Sequence, residues 1–293
     1  MIASHEGWGT LRVAGPDRQT WLEGLVTCEL KSLGSGQGTW GLALDRLGKI
    51  QSVLSVVARE DALWLALSPG TLDAMEATLG RMLIMEDAEL ERPAEPHVWF
   101  ALHGPEAAAR AQALATLAHG AAAAIDWTGL GGAALVVPAA RSEAVLAESQ
   151  GTILGADDWT RLRLERGLPE FGADFDARDR PHEAALERKA VNWSKGCYLG
   201  QEVVCMQDMR GKVKRSLSVL RVEAPENAAL GGPAHVVDAE EREVGVVKSR
   251  AFSPRAGAWL VMTLLERSAD VAQLRYRESG SRAWPASPLL AAV

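Results

Sequence analysis

The sequence is short of the features that mark secreted, membrane-spanning and nucleic-acid-coating proteins. Cysteine occurs only at Cys28, Cys197 and Cys205 in 293 residues. An odd count with no CxxC spacing argues against a disulfide framework and against a multi-cysteine metal site, so no bound metal is expected. No apolar run approaches the roughly 18 residues needed to cross a bilayer. The first residues, Met1-Ile2-Ala3-Ser4-His5-Glu6, lack the basic start and apolar centre of a signal peptide, and the expected setting is cytoplasmic. Positive charge is scarce as well: 31 Lys and Arg stand against 38 Asp and Glu, a formal net charge of −7. With that balance and no RNA-binding motif, direct nucleic-acid binding is not expected.

What is present is a globular composition, 47% hydrophobic and 24% charged, over a length that suits two domains with a core each. The charge is unevenly spread. From Arg178 to Arg215 there are nine Lys and Arg against five Asp and Glu, a local +4 that leaves −11 elsewhere. A basic stretch in an acidic chain suits an anionic small ligand, and equally a solvated face. Within it lies Lys195-Gly196-Cys197-Tyr198-Leu199-Gly200-Gln201-Glu202. These eight residues gather a cation, a thiol, a phenol, an amide and a carboxylate, and the two glycines admit backbone angles closed to other residues. Packing alone accounts for any one of these side chains, but poorly for the set.

Elsewhere the pattern alternates between strand and helix. Leu11 to Ala14 reads as a strand, followed by Gly15-Pro16-Asp17 and a helix carrying Trp21, Leu22 and Leu25, with Pro16 at a first helical position. The same order returns at Trp99 to His103, Gly104-Pro105-Glu106 and an alanine-rich helix through Leu114 and Leu117. This weak internal repeat predicts two similarly built α/β halves. Between the copies, apolar alternation about Asp45…Gly48 predicts a β-hairpin with a four-residue turn. Strands at 53–58 and 62–67 follow, then a helix from Ser68-Pro69 to Met85 with Ser68 as its cap. A further helix runs from Asp157 to Gly167, and Glu183 is placed at a helix opening. Beyond Ser216, short alternating segments separated by Gly231-Gly232-Pro233, Asp238–Glu243 and Arg255-Ala256-Gly257 predict a small antiparallel barrel.

The octet resembles, at every fixed position, the K-G-C-[FY]-x-G-Q-E signature of the YgfZ-type folate-binding proteins, relatives of the glycine-cleavage T-protein (aminomethyltransferase). Arg163-Leu164-Glu165-Arg166-Gly167-Leu168-Pro169 resembles the R-x-E-x-G-x-P segment of these proteins. Pro181-His182-Glu183 and Arg210-Gly211 resemble their Pro-x-Glu and Arg-Gly. The resemblance implies an α+β, T-protein-like fold: two interlocked α/β subdomains around a central ligand channel in residues 1–212, and a small C-terminal antiparallel β-barrel in 213–293. It implies tetrahydrofolate or a one-carbon derivative as ligand, with Glu165 matching the acid that hydrogen-bonds the pterin. An ionised carboxylate can accept from the adjacent N–H and NH₂ of such a ring. Lys195 is a candidate for the folate carboxylates, or a cation that fixes the loop. Tyr198, Trp193 or Trp40 could form an aromatic slot. Gln201 and Glu202 would orient the ligand or brace the loop. Cys197, near Lys195, is the candidate for any redox or transfer step.

One departure bears on function. In the segment matching Gly48-Lys49-Ile50-Gln51-Ser52-Val53, aminomethyltransferases carry a pair of acids, one essential to transfer, where this chain has Ser52 and Val53. A carboxylate source for the proton and charge stabilisation of that reaction is therefore missing. The resemblance then implies a folate binder that supports assembly or repair of iron–sulfur clusters, including those of tRNA-modifying enzymes, with iron–sulfur proteins or assembly factors as partners. Two other readings stay open: a folate-dependent aminomethyltransferase or demethylase acting on another amine, and a non-catalytic folate-sensing scaffold.

Overall fold

The computed structural model describes residues 1–286 apart from 6, 212, 229, 231 and 233. The expected turn at Gly231-Gly232-Pro233 thus falls partly outside the described residues, as do Lys212 of the basic stretch and Glu6. By compactness the chain forms two units. The first contains Met1–Leu154 and Lys189–Val203, the second Gly155–Arg188 and Val204–Val293. The division at 212/213 implied by the resemblance falls just before the first barrel strand, Arg215–Val222, whereas the compact units exchange segments.

The first unit is built on two five-stranded sheets. One runs, in spatial order, Gly38–Leu44, Ile50–Ala58, Ala62–Leu67, Gly9–Ala14 and Glu89–Glu91, all antiparallel. The other runs Ile153–Leu154, Ile2–His5, His97–His103, Gly132–Pro138 and Ala121–Ala124, with one parallel pair at its edge. Between them lies a core of Val57, Ala66, Trp99, Ala123, Ala134 and Val136, with Trp8, Trp40, Trp64 and Trp127 packed against it. Half of the ten tryptophans therefore serve this seam. The far face of each sheet is covered by helix. Trp21, Leu22, Met75 and Leu79 close one core. Ala107, Ala111, Leu114 and Ala118 of the helix Ala107–Ala118 close the other.

The internal repeat is visible in the backbone. Gly15 and Gly104 both take positive φ, 92° and 124°, and each precedes a proline and an acid at the helix cap, Asp17 and Glu106. The hairpin also forms as expected: Asp45 accepts Leu47 N and Lys49 N at 2.8 and 2.9 Å, and Gly48 takes φ 70°. Two helical expectations are corrected. The helix after Pro69 spans only Leu72–Gly80, capped at Thr71. Ser68 instead begins a turn in which its carbonyl accepts Thr71 N and Thr71 Oγ1, with Gly70 at φ 76°. Glu183 opens no helix; its carboxylate accepts Arg180 N within a run of turns.

In the second unit six antiparallel strands form one sheet, in the order Arg275–Tyr276, His235–Val237, Glu243–Ser253, Ala258–Glu266, Arg215–Val222, Ala283–Pro285. A bridge between Arg275 and Arg282 brings the two edges together, so the sheet nearly closes into a barrel. The helix Ala156–Glu165 packs on its long strand. Among the described residues no helix is long and apolar enough to cross a membrane.

Candidate functional site

The octet is fastened to the turn that follows the helix Arg18–Glu23. Thr27 pins that turn to the hairpin: its N–H donates to Leu42 O at 3.0 Å, and its hydroxyl accepts Leu42 N at 2.8 Å. The same hydroxyl donates to Ala190 O at 2.6 Å, and Thr27 O accepts Asn192 N at 2.9 Å. Asn192 then turns the chain, its side-chain oxygen accepting Ser194 N and Lys195 N. The carbonyls of Glu23, Val26 and Cys28 converge on one point, and the Lys195 ammonium fills it at 2.8, 2.7 and 2.7 Å. Glu23 lies 3.3 Å from the same nitrogen and accepts Leu30 N at 2.6 Å.

Lys195 therefore acts within the protein. Its side chain has no exposed surface, and an ammonium carries three donors, all spent here on carbonyls. Of the two roles considered for it, this geometry is that of the cation that fixes the loop; no donor is left for a folate carboxylate. The Tyr198 ring is buried with its centroid 5.5 Å from the ammonium, a cation–π arrangement that adds to the clamp.

The remaining octet residues divide between packing and solvent. Gly200 is required by the fold: φ is 81°, and a Cβ there would lie 2.5 Å from Asp45 O in the hairpin turn. Gly196 has neither constraint, since a Cβ there meets nothing within 4 Å. Cys197 is exposed, Cys28 is buried, and Cys205 is intermediate. Trp193 is exposed and Trp40 belongs to the seam between the sheets. Gln201 and Glu202 form the first turn of a helix, Gln201–Arg210, that leads from the first unit into the second. Neither side chain makes a hydrogen bond among the described residues, and Glu202 is exposed at the helix end that favours an acid.

Glu165 belongs to the second unit. It ends the helix Ala156–Glu165 and accepts the Ser253 hydroxyl at 2.5 Å through Oε1. It forms no ion pair among the described residues, and Arg161 pairs with Asp158 instead. Arg163, two residues earlier, is buried and donates to Asp174 at 2.5 Å and to Ser249 at 2.6 Å. Arg163 and Glu165 thus grip the strand Glu243–Ser253 four residues apart. The arginine is an anchor. The carboxylate is placed by one oxygen and keeps Oε2 available to a donor pair.

At the position of the missing acids, Ser52 is fully buried. Its Oγ accepts Ser68 N at 3.1 Å and meets Thr71 Oγ1 at 3.0 Å. Val53 N donates to Ser68 Oγ at 3.2 Å. A closed hydroxyl cluster occupies this end of the strand. Glu23, Thr27 and Asn192 were not singled out in the sequence. An acid beside the apolar Trp21-Leu22 pair was the one available signal for a buried partner to Lys195. The helix Gln201–Arg210 was missed because Val203, Val204, Cys205 and Met206 form one unbroken apolar run, which shows no helical period.

The fold is that of an aminomethyltransferase. The glycine-cleavage aminomethyltransferase T of Bartonella henselae superposes with a TM-score of 0.80 at 21% identity, over 98% of this chain and 84% of that one. In sequence the chain resembles the YgfZ proteins along its whole length: it is 24% identical to the tRNA-modifying protein YgfZ of Sodalis glossinidius, over 100% of this chain and 93% of that protein. The Vibrio vulnificus YgfZ is 28% identical over 71% of this chain and 66% of its own length. No family model matches the chain.

Proposed function

We propose that this protein binds tetrahydrofolate or a one-carbon derivative, and that it supports iron–sulfur cluster assembly or repair and, through it, tRNA modification. The observation that carries the reading is the exposed Cys197 held on a loop whose neighbour Lys195 is locked in place. A loop clamped this firmly around a solvent-facing thiol fits a reactive group presented to a partner. The name shared by the relatives supports the link to tRNA modification. Glu165 fits the pterin, because one oxygen is fixed by Ser253 and the other can accept from the ring. Folate, when bound, would supply a one-carbon carrier or a redox-active pteridine. The chain's own part is to orient that ring through Glu165 and to present Cys197.

Turnover as an aminomethyltransferase is disfavoured by the buried hydroxyl cluster at Ser52, which offers no carboxylate. Calorimetric titration with tetrahydrofolate tests the ligand: saturable binding to the wild type, weakened at least tenfold in Glu165→Ala, is expected. In cells lacking the native copy, Cys197→Ser should fail to restore the activity of an iron–sulfur tRNA-modifying enzyme. Binding with undiminished rescue by Cys197→Ser would leave a folate-responsive scaffold.

A further inference from the structure

A second feature of the first unit lies beside the turn that receives Lys195 and is not used by the proposed chemistry. Between the helix Arg18–Glu23 and the loop after Gly80 is an open cleft of about 460 Å³, lined by Asp17, Thr20, Trp21, Leu25, Met82 and Glu86. The loop that forms its outer wall displays Ile84 and Met85 at 81% and 92% exposure, the most exposed large apolar side chains among the described residues. That display is fixed. Glu86 accepts Ile84 N and Met85 N at 3.0 Å each, Asp17 accepts Asp87 N at 2.8 Å, and the Trp21 indole donates to Met82 O at 3.1 Å. Two adjacent large apolar groups held out to water by a rigid turn, above an apolar cleft, have the form of a protein-binding surface.

The charge that lines it is of one sign. The charged residues lining the cleft, Asp17 and Glu86, are carboxylates, and neither they nor Asp87 form an ion pair among the described residues. Arg18, next to Asp17, spends its guanidinium on the carbonyls of Gly15 and Glu60. Arg81 begins the loop and does not line the cleft. The opposite wall ends at Gly24, whose carbonyl accepts Leu199 N of the octet at 2.9 Å. We propose that this cleft and the Ile84-Met85 knuckle bind a segment of a partner protein that combines an apolar face with flanking Lys or Arg. A cationic flank answers the unpaired carboxylates, and an apolar face covers Ile84, Met85, Trp21 and Leu25.

A helical peptide with leucines at i, i+3, i+4 and i+7 and lysine flanks is the probe, beside the same peptide with glutamate flanks. Binding is followed by calorimetry at two salt concentrations, with sedimentation to record self-association. The lysine peptide should bind, weaken with salt, and lose at least tenfold in affinity in Ile84→Ser/Met85→Ser and in Asp17→Asn/Glu86→Gln; the glutamate peptide should not bind. Ile84 and Met85 are exposed, and Asp17→Asn and Glu86→Gln each keep a side-chain oxygen to accept the same backbone N–H groups, so the variants should fold, and unaltered tetrahydrofolate titration would separate this surface from the folate reading. Absence of binding, equal binding of the two peptides, or indifference to both variants overturns the proposal. So does a dimer of the free protein that dissociates in Ile84→Ser/Met85→Ser, which would give the surface to a second copy of this chain.

Discussion

A lysine ammonium has three donors and no acceptor, and Lys195 places all three on converging carbonyls beside a buried carboxylate. Removing it would strand Glu23 and three carbonyl oxygens away from water. Lys195→Met is therefore expected to lower unfolding free energy by about 3–5 kcal/mol, the range for breaking a buried pair. Urea denaturation measures it. Adding Glu23→Gln should restore more than 1 kcal/mol, because the stranded charge is gone. The cysteines divide in the same terms. Burial pushes the Cys28 thiol up to about 12, so it stays protonated and shielded, while Cys197 is exposed. In the folded protein a thiol reagent should modify Cys197 promptly and Cys28 only on unfolding, as peptide mapping after timed labelling would show.

At the scale of elements, much of the sequence reading was legible because local chemistry decided it. The hairpin at Asp45…Gly48 and the two Gly-Pro-acid entries into helices are specified by residues within a few positions of one another. The octet was legible as a cluster but not residue by residue. Its lysine, the backbone of Leu199 and one glycine are committed to contacts with residues 23–48, and that pairing is not encoded in local spacing. The glycines separate the two kinds of constraint. Gly200→Ala must move the hairpin turn or leave positive φ, and about 1–3 kcal/mol of destabilisation is expected. Gly196→Ala meets nothing and should change stability by less than about 0.5 kcal/mol. Thermal denaturation of the two variants checks this. A functional defect in Gly196→Ala without a stability change would then report contact with something outside the chain.

Over the whole molecule, the first unit joins two sheets through a tryptophan-rich seam, and its histidines tie its stability to pH. His103 is buried with its ring 6.2 Å from that of Trp127, centroid to centroid, and burial pushes its pKa down to about 4. The His5 ring lies 4.8 Å from that of Trp8 at a 44° tilt, and its pKa is pushed down to about 3, mainly by loss of solvent. In the unfolded chain both would take up protons near the ordinary value of about 6.5. A histidine depressed in this way contributes its full stabilisation above that value and loses it as pH falls toward the folded pKa. For His103 the loss amounts to roughly 3 kcal/mol between about pH 6.5 and pH 4, at about 1.4 kcal/mol per unit. Urea midpoints of the wild type should therefore decline steeply through that window. His103→Gln, neutral at every pH, should be less stable at pH 7 and show a shallower decline. An equally steep decline in the variant would assign the acid sensitivity to carboxylate pairs such as Arg163–Asp174, and the seam would then be a packing feature without a titrating role.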